Sequence, residues 1–326
     1  MPKLSIIVPV YGVAQYIEQC ALSLFEQTLD DLEYIFVDDC SPDNSIEILE
    51  KVMENYPQRK NQVTIVRFEK NRGLPYARKI GLSRATGDYI IYCDSDVFVD
   101  RHLYENMYKA CICGGLDVVI GNIRFVSDMD NSFEWLGGYV GKCYYYTKQE
   151  DCINAIMHNK LSCAIWNKMF RRSVCSNDII WPEENFGEDQ SVTLQWFCYC
   201  SKIGYVDGFY NYRVRRGSLT TQNSVEKCLE RFHNISKNVE DIYSKYRSLQ
   251  LDKKFQKGLI YIKYNTLYCL LPILDNKKYY KLWHKGIIEC SALLLDGSIS
   301  IKDRYRILRS IIGIFPLPRN RFINMN

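Results

Sequence analysis

The fold is decided by the stretch at residues 87–96, which reads GDYIIYCDSD. Its apolar, β-prone centre predicts a buried strand that ends at Cys93, and Asp94, Ser95 and Asp96 follow at once. In an open parallel sheet, ligands bind at the carboxyl ends of the strands, and residues two apart on an extended chain point to the same side. We therefore expect the Asp94 and Asp96 carboxylates to converge in one crevice. Such oxygen ligands suit Mg²⁺ or Mn²⁺, although Asp and Ser are also common turn residues.

Strand and helix signals alternate on both sides of this stretch. Strands are predicted at 4–10, 34–37 and 63–66, and helices at 17–27, 45–56 and 74–85. This order is typical of an α/β fold in which a mostly parallel, open sheet carries helices on both faces. Each polar cluster falls just after a predicted strand, so the sequence places a functional site at the carboxyl edge of the sheet.

The chain has 326 residues, which exceeds the usual size of a single domain. Signals become shorter and mixed after residue 117, and then helical and basic from Glu226. We predict one α/β domain at 1–222, composed of halves 1–116 and 117–222, followed by a helical, basic extension at 223–326.

Composition excludes several protein classes. A net charge of +4 is too small to indicate a nucleic-acid partner, and the 14 cysteines are scattered without a C-x-x-C pair. The N-terminus lacks the apolar core of a signal peptide, so we expect a cytoplasmic protein with buried free thiols. The most apolar stretch, 259–274, contains Lys263, Asn265 and Pro272 and is predicted to be a packed helix, not a membrane span.

The tail from Ile299 onward alternates large apolar residues with basic ones. Its six basic residues, against the single acidic Asp303, are Lys302, Arg304, Arg306, Arg309, Arg319 and Arg321. Two interpretations stay open: a basic amphipathic helix on an anionic membrane surface, or a helix that packs on its own domain with a solvated basic face.

Taken together, the polar clusters form an ordered set. They are IVPVY at 7–11, VDDCSPDNS at 37–45, NRGLPYAR at 71–78, ATGDY at 85–89 leading to DSD at 94–96, WNKMFRR at 166–172 and FGED at 186–189. Over about residues 1–220 this set resembles the inverting family 2 glycosyltransferases of GT-A fold, particularly bacterial enzymes that build surface polysaccharides. It departs at Cys40, where Gly is common, and at Lys79, where Asn is common.

The resemblance implies that residues 1–116 bind the nucleotide and residues 117–222 face the acceptor. It implies a uracil ring held by Pro9, Tyr11, Asp38 or Asp39, and Arg78. In physical terms Tyr11 offers a flat face to a base, and Asp39 offers an acceptor for its N–H. Asp38 and Asp39 could instead cap the following helix, a task for which Asp43 or Ser45 is the better candidate. Arg78 either bridges carboxylates and phosphate or makes a salt bridge on its own helix.

By the same resemblance, Asp94 and Ser95 contact the donor, through its ribose or the water shell of the metal, and Asp96 ligates Mn²⁺ or Mg²⁺. A cation on the diphosphate would stabilise the charge of the leaving group. Between His158 and His233 the chain has no histidine, so a third ligand is expected from water or phosphate.

The resemblance also nominates Asp189 as the base that deprotonates the acceptor hydroxyl, with Glu188 beside it. Capping of the helix that follows is a compatible role for this pair. Trp166 and Lys168 are predicted to contact sugar, acceptor or phosphate, with core packing the alternative for Trp166. Finally, the basic run at 212–220 resembles a flexible lid over the diphosphate, formed by Arg213, Arg216 and Ser218, unless it is a solvated turn.

We therefore predict a metal-dependent inverting glycosyltransferase that moves a sugar from a nucleotide donor, UDP-linked by expectation, to a glycan or lipid-linked glycan. The tail at 299–326 would place it on the inner face of the cell membrane. One alternative is a sugar-nucleotide nucleotidyltransferase, but PVYGV at 9–13 is not the Gly-rich loop of that class. The other is a non-catalytic binding module, which would not need Asp94, Asp96 and Asp189 together.

Overall fold

The structure is a computed structural model that describes residues 1–127, 134–139, 147–214, 224–247, 253–295, 297 and 299–312. The chain divides into two compact units, residues 1–219 and residues 220–326. The sequence-based boundary was placed after residue 222.

A single mixed sheet forms the centre of the first unit. Its strands are β1 (Leu4–Val10), β2 (Leu32–Asp38), β3 (Val63–Arg67), β4 (Tyr89–Tyr92), β5 (Phe98–Val99), β6 (Val118–Ser127), β7 (Glu134–Tyr139), β8 (Lys168–Arg171) and β9 (Ile203–Val214). Their order is β3-β2-β1-β4-β8-β6-β9-β5, and β7 pairs with β6. All seven residues of β1 are buried, as expected for a strand that is covered on both faces.

The two halves of the sheet differ in strand direction. Strands β1 to β4 pair in parallel, whereas β8 runs antiparallel to both β4 and β6. The parallel half explains why the polar clusters after β1, β2 and β4 meet at one edge. The predicted α/β architecture with a helical C-terminal part is confirmed. The second half of the sheet contains antiparallel strand pairs that the alternating strand and helix signals did not predict.

Helices cover this sheet. They are α1 (Ile17–Phe25), α2 (Ser45–Glu54), α3 (Pro57–Lys60), α4 (Leu74–Arg84), α5 (Leu103–Gly114), α6 (Gln149–Met157), α7 (Arg172–Cys175) and α8 (Glu188–Phe197). Helix α4 packs very closely on the parallel strands, because a Cβ at Gly81 would lie 2.3 Å from Ile7 Cγ2. Helix α4 therefore lies directly against β1.

The second unit is helical. It contains α9 (Val225–Arg247), α10 (Lys253–Thr266), α11 (Lys277–Glu289), α12 (Ile301–Ile311) and two 3-10 helices (Leu267–Ile273 and Ser291–Leu295). Its core includes Tyr264, Leu270, Trp283 and Ile307. The predicted packed helix at 259–274 is therefore an α-helix that continues as a 3-10 helix. None of the helices in the described ranges is long and apolar enough to cross a membrane.

Candidate active site

The Asp94-Ser95-Asp96 turn lies directly after β4, in the middle of the sheet. The Asp94 N–H donates to the hydroxyl of Tyr210 on β9 at 2.9 Å. Its carbonyl oxygen accepts the thiols of Cys20 at 3.6 Å and Cys93 at 3.5 Å. The backbone of the turn is thus fixed on both sides, and Ser95 is buried within it.

One buried cation connects this turn to the second carboxylate pair. The side chain of Arg78, on α4, is only 2% exposed. Its Nη2 donates to Asp94 Oδ1 at 2.8 Å, and its Nη1 donates to Glu188 Oε1 at 2.9 Å and to Asp189 Oδ1. A buried charge is stable only when it is paired in this way, so α4, the end of β4 and the start of α8 are held together. We call Arg78, Asp94, Glu188 and Asp189 the Arg78 cluster.

Burial shifts the protonation equilibria of the cluster. It raises the pKa of Asp94 to about 6, against the opposing effect of Arg78. Burial and the neighbouring Asp189 raise the pKa of Glu188 to about 8. Burial alone would lower the pKa of Arg78, but the three carboxylates outweigh it and raise that pKa. The pKa of Glu188 therefore lies above the ordinary value of a glutamate carboxyl group.

Asp189 is the more accessible member of the carboxylate pair, with 21% of its side chain exposed against 12% for Glu188. Both lie in the first turn of α8, which begins after Gly187 in the left-handed region at φ 78°. No side chain caps this helix by a hydrogen bond, so the pair contributes through the helix dipole.

The loop after β1 presents Tyr11, whose side chain is half exposed at the edge of the sheet. Pro9 is buried inside β1. The loop is fixed by the residues after β2, because Gly12 N–H donates to Ser41 Oγ at 2.8 Å and Ala14 N–H to Asp43 Oδ2 at 2.9 Å. Tyr11 therefore projects from a loop that these hydrogen bonds hold in place.

Asp38 and Asp39 organise loops in this structure. Asp38 Oδ1 accepts the Ser41 N–H at 2.8 Å. The carboxylate of Asp39 is buried and accepts the N–H groups of Arg72 at 2.6 Å and Gly73 at 2.8 Å. Its oxygens hold the loop that leads into α4, and the contact of Asp39 with a base stays a prediction.

Lys168, which was predicted to contact sugar, acceptor or phosphate, lies inside the fold. Its ammonium is fully buried and donates to Ser162 O at 2.8 Å, Ala164 O at 2.6 Å and Asn167 Oδ1 at 2.8 Å. Burial lowers its pKa to about 8. Lys168 thus stabilises the preceding loop, with no exposed group left for phosphate or acceptor.

Trp166 follows the core-packing alternative. It is buried, and its ring stacks on Tyr210 with a centroid distance of 4.2 Å and on Tyr212 at 5.4 Å. Through Tyr210, it supports the Asp94 backbone.

Arg213, one of the three predicted lid residues, belongs to β9 and is buried. Its Nε donates to the Asp96 carbonyl at 3.1 Å, Nη2 bonds to Gln19, and its guanidinium lies 5.1 Å from the Tyr16 ring centroid. It is therefore a fixed support of the Asp94–Asp96 turn. The other two predicted lid residues, Arg216 and Ser218, lie outside the described residues.

The carboxylate oxygens at the end of β4 suit a metal cation that also binds substrate. Asp94 and Asp96 are partly exposed at the end of β4. Within the part of the chain that the structure describes, no three His, Cys, Asp or Glu residues are placed to hold a metal ion together. A Mg²⁺ or Mn²⁺ ion here would take its remaining ligands from phosphate and water, as is usual for these ions in nucleotide sites.

The role of Asn185 was not predicted from the sequence. Its Oδ1 accepts the N–H of Leu74, the first residue of α4, at 2.9 Å. The approach is so close that a Cβ at Gly73, where φ is +87°, would lie 2.9 Å from the same oxygen. Asn185 therefore caps α4 from the loop that leads into α8. In the sequence, the position of Asn185 three residues before Glu188 was only a weak signal of a role near the site. Tyr210 and Ser41 were missed as well.

The sequence of this chain matches a known protein family and several of its members. A family model described as Glycosyl transferase family 2 matches residues 5–178. The glycosyltransferase GlyG of Streptococcus pneumoniae is 29% identical over 66% of this chain and 72% of its own length. The cholesterol galactosyltransferase of Borreliella burgdorferi is 25% identical over 94% of this chain and 87% of its own.

Solved structures show the same fold. The Staphylococcus aureus TarS fragment 1–349, in complex with UDP-GlcNAc, superposes with a TM-score of 0.57 at 18% identity and covers 96% of this chain and 93% of its own. The mannosyltransferase PcManGT of Pyrobaculum calidifontis, in complex with GDP-Man and Mn²⁺, has a TM-score of 0.57 at 17% identity and covers 95% and 84%. The GT-A fold expected from the motifs is confirmed.

Proposed function

Because the chain belongs to glycosyltransferase family 2, and is thus a glycosyltransferase, we propose that it transfers a sugar with inversion from a UDP-sugar to a glycan hydroxyl in polysaccharide biosynthesis. The observation that carries the proposal is the Arg78 cluster, which holds a carboxylate pair beside the turn that ends β4. The groups that we propose to contact the donor, at the end of β4, therefore lie beside the carboxylate pair that we propose to face the acceptor.

The donor side is supported by the residues around the end of β1. Tyr11 offers an exposed ring for a nucleobase on a loop that hydrogen bonds hold in place, and Pro9 and Asp38 are proposed as further contacts of that base. The TarS complex with UDP-GlcNAc, and the UDP preference implied by the family resemblance, favour a uridine donor. Asp94 and Ser95 would contact the ribose side of this donor.

Asp189 is proposed as the general base. An inverting displacement forms a bond from the acceptor oxygen to the anomeric carbon while the bond to the β-phosphate oxygen breaks on the opposite face. The acceptor proton passes to the Asp189 carboxylate, which must lie within hydrogen-bond reach of that hydroxyl. Arg78 holds Asp189 in place, and Glu188 is the less accessible carboxyl group of the pair.

Asp96, assisted by Asp94, would hold Mn²⁺ or Mg²⁺ together with the donor diphosphate. The PcManGT complex with Mn²⁺ supports this assignment. When bound, the ion supplies stabilisation of the negative charge that develops on the leaving nucleoside diphosphate.

A lipid-linked glycan on the inner face of the cell membrane is the proposed acceptor. The support is the basic tail and the similarity to a relative named for a lipid acceptor, cholesterol, which extends through the second unit of this chain.

A donor screen tests the proposed function. The full chain is incubated with Mn²⁺ and each of a panel of UDP- and GDP-sugars, and release of free nucleoside diphosphate is followed. Slow hydrolysis of one UDP-sugar, lost in Asp189→Asn, is the expected result. In a parallel sample that also contains pyrophosphate, formation of UTP from a UDP-sugar would instead establish a nucleotidyltransferase. Tight binding of a donor without turnover of any donor would establish a binding module.

A further inference from the structure

Helix α12 has one face that is anchored in the core of the second unit. Ile307 is fully buried against that core. Asp303, also buried, accepts the Ser300 hydroxyl at 2.8 Å and pairs with Arg306 at 3.1 Å. The helix is therefore held firmly in one rotation about its axis.

A second apolar face of α12 is exposed. Four side chains share it, with exposures of 80%, 55%, 49% and 62%, and they are Ile301, Tyr305, Leu308 and Ile312. Their spacing of four, three and four residues places them within a stripe about 60° wide, since an α-helix turns about 100° per residue. The same periodicity puts this stripe roughly opposite Ser310 and Asp303, on the anchored face. We call these four residues the α12 stripe.

Basic side chains flank the α12 stripe. By helical periodicity, Arg304 lies on one side, and Arg309 and Lys302 on the other. The charge of the chain is also segregated. Residues 253–326 contain 14 Lys and Arg against four Asp and Glu, whereas residues 1–252 contain 28 against 34. The stripe thus sits in the positive part of an otherwise negative protein.

We propose that the α12 stripe docks on an anionic lipid surface, with the apolar side chains entering the headgroup region and the flanking basic residues contacting lipid phosphates. An apolar stripe bordered by Lys and Arg is the arrangement expected of a helix that lies in a membrane interface. A second copy of this chain fits less well, because pairing two stripes would bring like charges together. The lipid-linked acceptor proposed above motivates this inference, but docking itself does not require turnover.

Vesicle co-sedimentation tests the proposal. The full chain is mixed with phosphatidylcholine vesicles that contain or lack phosphatidylglycerol, at low and at high salt. We expect binding only to the anionic vesicles, and a loss of binding at high salt because salt screens the attraction.

The matched variants are Leu308→Glu and Ile112→Glu. Both replace an exposed aliphatic residue on a helix by a carboxylate, at 49% and 56% exposure, but Ile112 lies on α5 of the first unit. Leu308→Glu should weaken vesicle binding by about tenfold or more, because it removes apolar burial and repels the anionic surface. Ile112→Glu should bind like the wild type.

Three results would overturn the proposal: wild-type protein that stays in the supernatant with anionic vesicles at low salt, equal binding by Leu308→Glu, or a dimer in sedimentation velocity that Leu308→Glu dissociates in the absence of vesicle binding. Donor hydrolysis without vesicles, measured in parallel, should be unchanged in both variants. It separates failure of docking from failure of the proposed function.

Discussion

Glu188 and Asp189 are neighbours in sequence, yet their surroundings give them different chemistry. Glu188 is the more buried, and burial together with the neighbouring Asp189 raises its pKa. Asp189 is more accessible and is oriented by Arg78. Sequence position alone could not separate the two, whereas the difference in their exposure does.

Replacing Asp189 by Asn keeps the shape of the side chain but removes the proton acceptor. Asp189→Asn should retain UDP affinity within a few-fold, and transfer should fall by about 10²–10⁴-fold, the usual contribution of a general base. Steady-state transfer rates and a UDP titration measure the two quantities. Glu188→Gln is the control, with a much smaller effect on turnover. Near-wild-type turnover of Asp189→Asn would assign the base to another group.

The raised pKa of Glu188 has a consequence for stability. Folding raises this pKa from its ordinary 4.5 to about 8, so the folded protein binds the proton more tightly than the unfolded chain does. Wild-type stability contributed by this group is therefore present at low pH and is lost as the pH rises through that window. Glu188→Gln does not titrate. The stability of the variant relative to wild type should increase from about pH 5 to about pH 8.5, as measured by urea denaturation. A constant difference would show that Glu188 has an ordinary pKa.

At the scale of elements, α4 and α8 are joined at their N-termini. Arg78 on α4 binds the carboxylates of α8, and Asn185, from the loop before α8, accepts the N–H of Leu74 at the start of α4. Each helix thus positions the functional group carried by the other. Residues 111 positions apart make this contact, so helical periodicity could not reveal it.

Asn185→Ala removes the acceptor for the Leu74 N–H. Loss of such a cap typically costs about 1 kcal/mol of the free energy of unfolding. Turnover should fall as well, because Arg78 and Asp189 lose a shared support, while UDP affinity stays within a few-fold. Asn185→Asp retains an oxygen acceptor and should remain close to wild type in both measurements. If Asn185→Ala had wild-type stability and turnover, the cap would be incidental.

The elements of the parallel half could be predicted well from sequence. The run Leu4–Val10 and the helix starts at Ile17, Ser45 and Leu74 agree with the structure, because continuous apolar strands and amphipathic helices are local signals. Cys40 stands where the family commonly has Gly, and the backbone explains that preference. Its φ of 57° lies in the left-handed region that favours glycine.

The surroundings of several polar side chains depend on partners that are distant in sequence. Lys168 was expected to face substrate, but backbone carbonyls satisfy its buried ammonium. The basic run after Tyr212 was interpreted as a loop, yet β6 pairs with β9 through Val214 and buries Arg213. Asp39, the predicted base contact, accepts the backbone N–H groups of Arg72 and Gly73. In each case a polar side chain reads as exposed in the sequence, because its buried partners are not visible there.

For the molecule as a whole, the proposed donor site draws on β1, β2, β4 and α4 at once, so its ligands should bind the folded chain and not the unfolded one. A ligand of this kind stabilises the folded state by about 2.7 kcal/mol when its free concentration is about 100 times its Kd. UDP with Mn²⁺ should therefore raise the urea midpoint of the first unit, and UDP with EDTA should raise it far less. In Asp96→Ala, UDP should give the same small shift with Mn²⁺ as with EDTA. Asp30→Ala, which removes an exposed carboxylate outside the site, should respond like the wild type. Equal shifts with Mn²⁺ and EDTA in the wild type would mean that the Asp94–Asp96 turn binds the nucleotide without a metal.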